Sequence, residues 1–380
     1  MTKLSFFLGF FLLFALPLAA GPYEDAKTAF GRKDFATTLS IVQPRAQNGE
    51  AWAQAMLGLM YRFGHGVPQN YDEALKWSRK AADQGFAVAE DNLGLMYAAG
   101  YGLPQDNSEA IKWYRLAADQ GWARAQYNLG YMYDHGYGVP QDFIEAARLY
   151  RLAAAQGDSC AQCNLGVLYE FGRGVSLDYT EALKWYQLSS NQGDAQGQCN
   201  LGKLYENGNG VQQNHAEAVA LFKKASDRGL AEAQYDLGYM YYNGNGVPQD
   251  FTESARLYRL AADQGNTTAQ TALGYLYTQG KGVPLDFVKA ATLNQLAADR
   301  GDPYAQSNLG YAYEIGKGVP QDYVQADMWY ALAEARSSKS EKLYKDAEEN
   351  RIKIEKLMTP EQIAEANKLT IDWKPLESKP

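Results

Sequence analysis

The sequence has 380 residues, 44 Asp+Glu against 36 Lys+Arg, and a formal net charge of −8. That balance excludes the basic footprint of a nucleic-acid binder, and 46% hydrophobic content with 28 tyrosines excludes a disordered chain. Length alone would allow two or three compact domains, but internal repetition replaces that expectation.

The first element is residues 1–20. Lys3 precedes an apolar run from Leu4 to Leu18, broken only by Ser5, Gly9 and Pro17, and Ala19-Ala20 follow. This is the shape of a secretory signal peptide cleaved after Ala20. The run is shorter than the about 20 residues a membrane-spanning helix needs, and an uncleaved anchor is the alternative. The mature chain is therefore expected to be exported, to a periplasm or the medium. Residues 21–50 read as a degenerate helix pair that caps the rest of the chain, with Ala26, Ala29, Phe30, Phe35, Leu39 and Val42 spaced for burial.

From Ala51 the chain repeats. Leu-Gly recurs at Leu57-Gly58, Leu93-Gly94, Leu129-Gly130, Leu165-Gly166, Leu201-Gly202, Leu237-Gly238, Leu273-Gly274 and Leu309-Gly310, always 36 residues apart. A tyrosine stands three residues after each glycine. The units are 51–86, 87–122, 123–158, 159–194, 195–230, 231–266, 267–302 and 303–336. In the third, Ala125, Leu129 and Tyr133 have helical spacing and define helix A. Gly136 and Gly138 bracket a tight connection, Pro140 bars continuation of the helix, and Asp142 with Glu145 reads as a capping box opening helix B. Helix B turns Ala146, Leu149, Tyr150, Ala153 and Ala154 inward and stops at Gly157. One helix pair cannot bury its apolar stripe alone, so the pairs must stack. The fold class expected is all-α, a right-handed superhelical solenoid of antiparallel helix pairs. Residues 337–372 read as capping helices. A basic amphipathic helix over 340–358 would bury Leu343, Ala347, Ile352 and Leu357, and Thr359-Pro360-Glu361-Gln362 would open a short last helix. Residues 373–380 form a tail.

The unit resembles the Sel1-like repeat, a relative of the tetratricopeptide repeat. The stretch from Ala123 to Asp142 follows its pattern almost throughout, and the resemblance covers about three quarters of the chain. Departures are local: Gly197 replaces an alanine, leucine replaces tryptophan at Leu149, Leu221, Leu257 and Leu293, and Asn294 replaces an aromatic. The resemblance implies a non-catalytic scaffold that holds another protein in a concave groove, in a bacterial envelope or secreted setting that includes contact with host cells. A cysteine-rich branch of the family is associated with β-lactamase or penicillin-binding activity. This chain lacks that branch's cysteine pair in every repeat, and it has no S-x-x-K to activate a serine.

Chemistry-bearing residues are few. His65, His135 and His215 lie in or beside turns of different repeats, where a metal would need three or four converging ligands, so neither metal nor cofactor is expected. Cys163 and Cys199 occupy equivalent places one repeat apart. Stacked helices at roughly 8–10 Å exceed the ~7 Å Cα limit for a bridge, and Cys160 shares a helix turn with Cys163. All three read as reduced thiols.

Because the repeats are internal copies, positions that vary on one helix-A face report a candidate partner-binding surface. Counting Ala51 as position 1, positions 2, 5, 9 and 12 carry Trp52, Leu59 and Arg62 in the first repeat, Tyr127, Tyr131 and Asp134 in the third, and Tyr235, Tyr239 and Tyr242 in the sixth. Tyr275, Tyr304, Tyr311 and Glu314 continue the stripe, and Glu170 and Glu206 mark its middle. Tyrosines flanked by acids suit a protein partner carrying Lys or Arg; the competing role is plugging the seams between repeats. At position 6, Asn92, Asn128, Asn164, Asn200 and Asn308 could grip a ligand backbone, as the resemblance to tetratricopeptide repeats implies, or bond within the chain. A basic row on helix B (Lys76/Arg79, Lys112/Arg115, Arg148/Arg151, Arg256/Arg259) reads as partners of the glutamates three residues before, with anionic lipid as the alternative. The protein is expected to be monomeric, to bind no nucleic acid and to keep no membrane span once cleaved.

Overall fold

The computed structural model describes residues 21–338 and 341–376. The signal-peptide expectation and the last four residues of the tail lie outside them. Twenty helices are present among the described residues, and no strand. Two helices, α1 (Pro22–Gly31) and α2 (Phe35–Gln47), precede the repeats. The first four repeats are α3 (Ala51–Phe63) with α4 (Tyr71–Ala82), α5 (Ala87–Ala99) with α6 (Asn107–Asp119), α7 (Ala123–His135) with α8 (Phe143–Ala155), and α9 (Ser159–Phe171) with α10 (Tyr179–Asn191). The next four are α11 (Ala195–Asn207) with α12 (His215–Asp227), α13 (Ala231–Asn243) with α14 (Phe251–Asp263), α15 (Thr267–Gln279) with α16 (Phe287–Ala298), and α17 (Pro303–Ile315) with α18 (Tyr323–Arg336). The chain closes with α19 (Lys342–Glu355) and α20 (Pro360–Asp372). The principal contacts join consecutive helices. The architecture is an all-α repeat solenoid. Two compact units, 21–197 and 198–376, divide within α11.

Within the first unit, the third repeat shows why the sequence folds this way. The α7 helix ends in a left-handed turn at Gly136 (φ 69°), whose N–H reaches back to Met132 O. Gly138 also has positive φ (73°), and a Cβ there would stand 2.9 Å from the Asn107 carbonyl carbon at the start of α6. The glycine of Leu129-Gly130 is a seat for an aromatic ring: a Cβ on Gly130 would be 2.9 Å from Tyr150 on α8. Every residue read as the inward face of helix B, from Ala146 to Ala154, is buried.

The capping boxes are only half made. Asp142 Oδ1 accepts from the N–H groups of Ile144 (2.9 Å) and Glu145 (3.0 Å). Glu145 does not fold back onto the backbone; its carboxylate takes both Arg148 Nε (2.8 Å) and Nη2 (2.6 Å). Glu73, Glu109, Glu181 and Glu253 likewise pair with Lys76, Lys112, Lys184 and Arg256. An ion pair three residues along the same helix outcompetes the return bond to the cap. The basic row therefore splits in two. Its first members answer these glutamates. Arg79, Arg115, Arg151 and Arg259 instead donate to the hydroxyls of Tyr97, Tyr133, Tyr169 and Tyr277 of the following repeat.

A recurring glutamine link, within a repeat and back to the one before, had no counterpart in the sequence reading. Buried Gln126 donates to Ala118 O (3.3 Å), while Gln156 donates to Gln126 Oε1 (2.8 Å). Gln54/Gln84 and Gln162/Gln192 repeat the pairing, as does Gln234/Gln264 in the second unit.

At the C-terminal end, α19 packs on α18. Ala347 and Ile354 are its buried residues, whereas Ile352 and Leu357 are exposed, so the expected apolar face is corrected by a rotation of the helix. Acidic residues also match basic ones in number over 340–358, so the segment is not basic. Arg351 anchors it, meeting Asp327 (3.3 Å), Glu334 (2.9 Å) and Glu355 (3.2 Å). The last helix opens with a complete capping box: Thr359 N–H donates to Gln362 Oε1 (2.9 Å), and Gln362 N–H donates to Thr359 Oγ1 (3.3 Å).

Candidate functional site

In the first unit, most of the stripe is spent on internal contacts. Trp52 is half-buried, its indole N–H donating to Glu50 Oε2 (2.8 Å) and its ring edge-on to Tyr23. Arg62, 5% exposed, bonds to Asn92 Oδ1 and lies 4.3 Å above the Phe63 ring. Burial, with the like charge of Arg124, lowers its pKa to about 10. Asn128 is buried and donates to Asp91 Oδ1 (2.8 Å). Tyr127 leans on Tyr150, and burial raises its pKa well above the usual phenol range. Tyr131 stacks on His135 with ring centres 4.0 Å apart.

Position 12, the helix-B aromatic and position 6 of the next repeat form one polar link. Asn164 donates to the Tyr150 hydroxyl (3.2 Å), which donates to Asp134 (3.1 Å). In the next repeat Tyr186 donates to Glu170 (2.6 Å). The amides of Asn128 and Asn164 thus serve the seam, the second of the two roles the sequence left open. A carboxylate and an amide are joined through a phenol, which satisfies polar groups that are partly or wholly buried.

The second unit departs from this scheme at its first junction. Phe222 stands where five other repeats place tyrosine, so its ring brings Glu206 no hydroxyl, and position 6 is Asp236 in place of asparagine. Lys203 answers the accumulated charge, bonding Glu232 and lying 3.6 Å from Asp236. The Cys199 thiol donates to Asp236 Oδ2 (3.4 Å). Burial pushes Asp236 up to about 6 despite the Lys203 ammonium, with Glu232 and Glu206 adding to the rise. Burial likewise raises the Cys199 thiol. Cys199, Glu232 and Asp236 bring ligand-type atoms within 4.8 Å of one another. Sequence reasoning missed this cluster because its members lie on successive A helices; Glu232 and Asp236 follow Cys199 by 33 and 37 residues, either side of the repeat period, and that spacing was the available signal. A lysine ammonium already shares the space, so the donor set is that of an internal ion-pair cluster.

Further along the second unit the tyrosines emerge. Tyr235 stacks on Tyr258 (5.5 Å), and Tyr242 lies between Phe251 (5.3 Å) and Tyr275 (6.4 Å), so both are half-buried in packing contacts. Tyr239, Tyr275, Tyr304 and Tyr311 are 42%, 44%, 59% and 54% exposed. Glu314 is buried, accepting from the Tyr330 hydroxyl (2.8 Å) and from Lys353 of α19 (2.6 Å). Among the nominated residues, then, Arg62, Asn128 and Glu314 are closed off within the chain, and these four tyrosines offer open surface.

Helix B carries a row that the sequence reading did not single out. Leu116, Leu152 and Leu188 in the first unit, and Leu260 and Leu296 in the second, share one position and are each at least 40% exposed. The three cysteines stand as free thiols. His65 stacks on Phe35 with ring centres 4.4 Å apart, and burial lowers its pKa. No helix among the described residues is long and apolar enough to cross a membrane.

Eight segments match the Sel1 repeat: residues 53–86, 87–122, 123–158, 161–194, 195–230, 231–266, 267–302 and 303–338. Two solved structures are similar over most of their length. A protective antigen present in uropathogenic Escherichia coli strains, displaying an SLR fold, is 30% identical over 88% of this chain and 94% of that one, with a TM-score of 0.54. A Sel1 repeat protein from Oxalobacter formigenes is 33% identical over 76% of this chain and 86% of that one, with a TM-score of 0.58. A comparison with curated proteins found no match.

Proposed function

The chain belongs to the Sel1 repeat family, whose members are generally protein-interaction scaffolds, and from that premise we propose an exported, non-catalytic, monomeric adaptor that holds a protein partner on its helix-A face. The observation that carries this reading is the exposure of Tyr239, Tyr275, Tyr304 and Tyr311 at positions that differ from copy to copy, while the positions fixed among the copies are consumed by packing. Tyrosine gives large contact area with a polar tip and loses little rotamer freedom on binding. Export is supported by the charge, apolar run and small residues of the first twenty positions. A host-facing partner is supported by the similarity to a protein described as a protective antigen; a purely periplasmic partner is the other setting.

The test is capture by crosslinking and mass spectrometry from a strain expressing the tagged full chain, alongside a Tyr275→Ala/Tyr311→Ala variant and a Leu152→Ala/Leu260→Ala variant. These tyrosines are exposed, whereas Tyr235 and Tyr242 support the packing and would confuse binding with folding. Loss of one crosslinked protein in the tyrosine variant, with retention in the leucine variant, is expected. The reverse pattern would move the interface to helix B, a second reading that the exposed leucine row supports. Fractionation of the same strain and the mass of the mature N-terminus test export and cleavage after Ala20.

A further inference from the structure

Resting on that reading, we infer that the helix-A face of the 198–376 unit docks an extended basic segment of the partner protein, with Lys or Arg side chains seated over Tyr239, Tyr275 and Tyr311 and against Glu206. The three tyrosines occupy position 9 in three successive repeats. One exposed ring therefore recurs with each A helix, and the Tyr242–Tyr275 ring contact shows that the surface runs on from one repeat to the next. Neighbouring helices lie about 8–10 Å apart. A polyproline-type strand advances about 9 Å every three residues and returns the same side to the surface, so a basic residue at every third position matches the ladder.

The occupant's charge follows from what the face already does with the chain's own cations. Lys203 is bound by Glu232 and Asp236. The Lys281 ammonium lies 5.4 Å from the Tyr242 ring centre and 5.1 Å from that of Phe251. Lys353 is bound by Glu314. Three internal lysines thus use both modes available to an incoming cation, carboxylate pairing and ring-face contact. Acids remain in excess, with Glu206 and Asp302 added to those three carboxylates. Asp302 receives a hydroxyl bond from Thr271 (3.2 Å). Glu206 is half-buried, and within the chain it feels the charges of Lys203 and His215. Phe222 stands at the ring position from which Asp134, Glu170 and Glu314 each receive a tyrosine hydroxyl. With a bare ring there, Glu206 receives no phenol and keeps acceptor capacity for a donor from outside.

The experiment titrates the full-length protein with a fluorescein-labelled peptide of about twelve residues, with lysine at every third position in a proline-rich background, read by anisotropy. A second peptide has glutamine in place of lysine. The lysine peptide should bind roughly 10-fold tighter than the glutamine peptide, with affinity falling as salt rises. Tyr239→Ser/Tyr275→Ser/Tyr311→Ser changes no charge and touches exposed side chains only; it should weaken the lysine peptide roughly 10-fold or more, at about 2- to 5-fold for each ring. Phe222→Tyr gives Glu206 an internal donor and should weaken binding about 3-fold. Failure of the lysine peptide to bind, or an unchanged affinity in the tyrosine variant, overturns the inference. Equal binding of both peptides, lost in the tyrosine variant, rejects a basic occupant but leaves the face as a protein site. Should the same variant also leave the crosslinked partner in place, the proposed function falls with it.

Discussion

Two seams built from the same positions have opposite characters. Where the third repeat meets the fourth, Asp134, Tyr150 and Asn164 form a closed relay in which each polar group finds a partner. Where the fifth meets the sixth, the same three positions hold Glu206, Phe222 and Asp236; Glu232 adds a third carboxylate, and Lys203 and the Cys199 thiol answer them. Backbone and ring packing are the same in both: Gly130 seats Tyr150 and Gly202 seats Phe222, with a hypothetical Cβ only 2.9 and 2.7 Å from the respective ring. The difference teaches that the aromatic ring holds the repeat together, while its hydroxyl decides whether the acid beside it is consumed or left available.

The largest effect should come from attacking what the two seams share. Gly130→Val drives a side chain into the Tyr150 ring and should cost about 3 kcal/mol by overpacking. Gly274→Val should cost less than half as much, because Asn294 replaces the ring and its nearest atoms stand 3.3 Å away. Thermal or urea unfolding measures both, and equal losses would mean that ring seating is not the basis of the Leu-Gly pattern. Next, Tyr150→Phe copies the second seam into the first by stripping the hydroxyl from Asp134 and Asn164. It should destabilise by about 2 kcal/mol, the scale of a hydrogen bond to a charged group, and a loss near zero would separate the relay from stability.

The smallest effect carries a sign. Asp236 titrates at a raised value in the folded chain, so the folded state holds its proton more tightly than the unfolded state does. Stability therefore falls as pH rises from about 4, the ordinary Asp value, to about 6, and the deficit persists above that. Asp236→Asn should remove this slope and add on the order of 1 kcal/mol at pH 7, with no gain near pH 4. Unfolding curves across that range check it; a variant gaining equally at both ends would assign the effect to something other than ionisation. Asp327, also raised to about 6 by burial, contributes a slope of the same sign that Asp236→Asn should leave in place.

Much of this was legible in the sequence, and what was not has a common cause. The phase of Leu-Gly, the glycine stops and the Asp or Asn caps are set within a few residues of chain, so spacing alone reveals them. Glu145 was misassigned because two local partners compete for it, and Arg148 prevails over the backbone. Ile354, not Ile352, points inward because the repeat pattern ends before α19, leaving nothing to fix its rotation. Arg151 to Tyr169, Gln156 to Gln126 and Cys199 to Asp236 cross between helices; their separations were visible, but which side chains meet depends on the stacking. For the candidate surface, periodicity nominated a stripe without distinguishing the buried Arg62 and Glu314 from the open Tyr304 and Tyr311.

The second glycine of each turn has a consequence for how such a chain can change length. Gly138 lies flush against the opening of α6, Gly246 against His215 and Ala216, and in each case a single added carbon would collide with main-chain atoms. Each turn is thereby clamped to the helix start thirty-one positions before it. A lone inserted or deleted amino acid between those points would shift the glycine off its landing place and put a bulkier residue there. Growth or trimming is cheap only in whole 36-residue modules, which keep every such landing intact and move the face beyond it by one complete step.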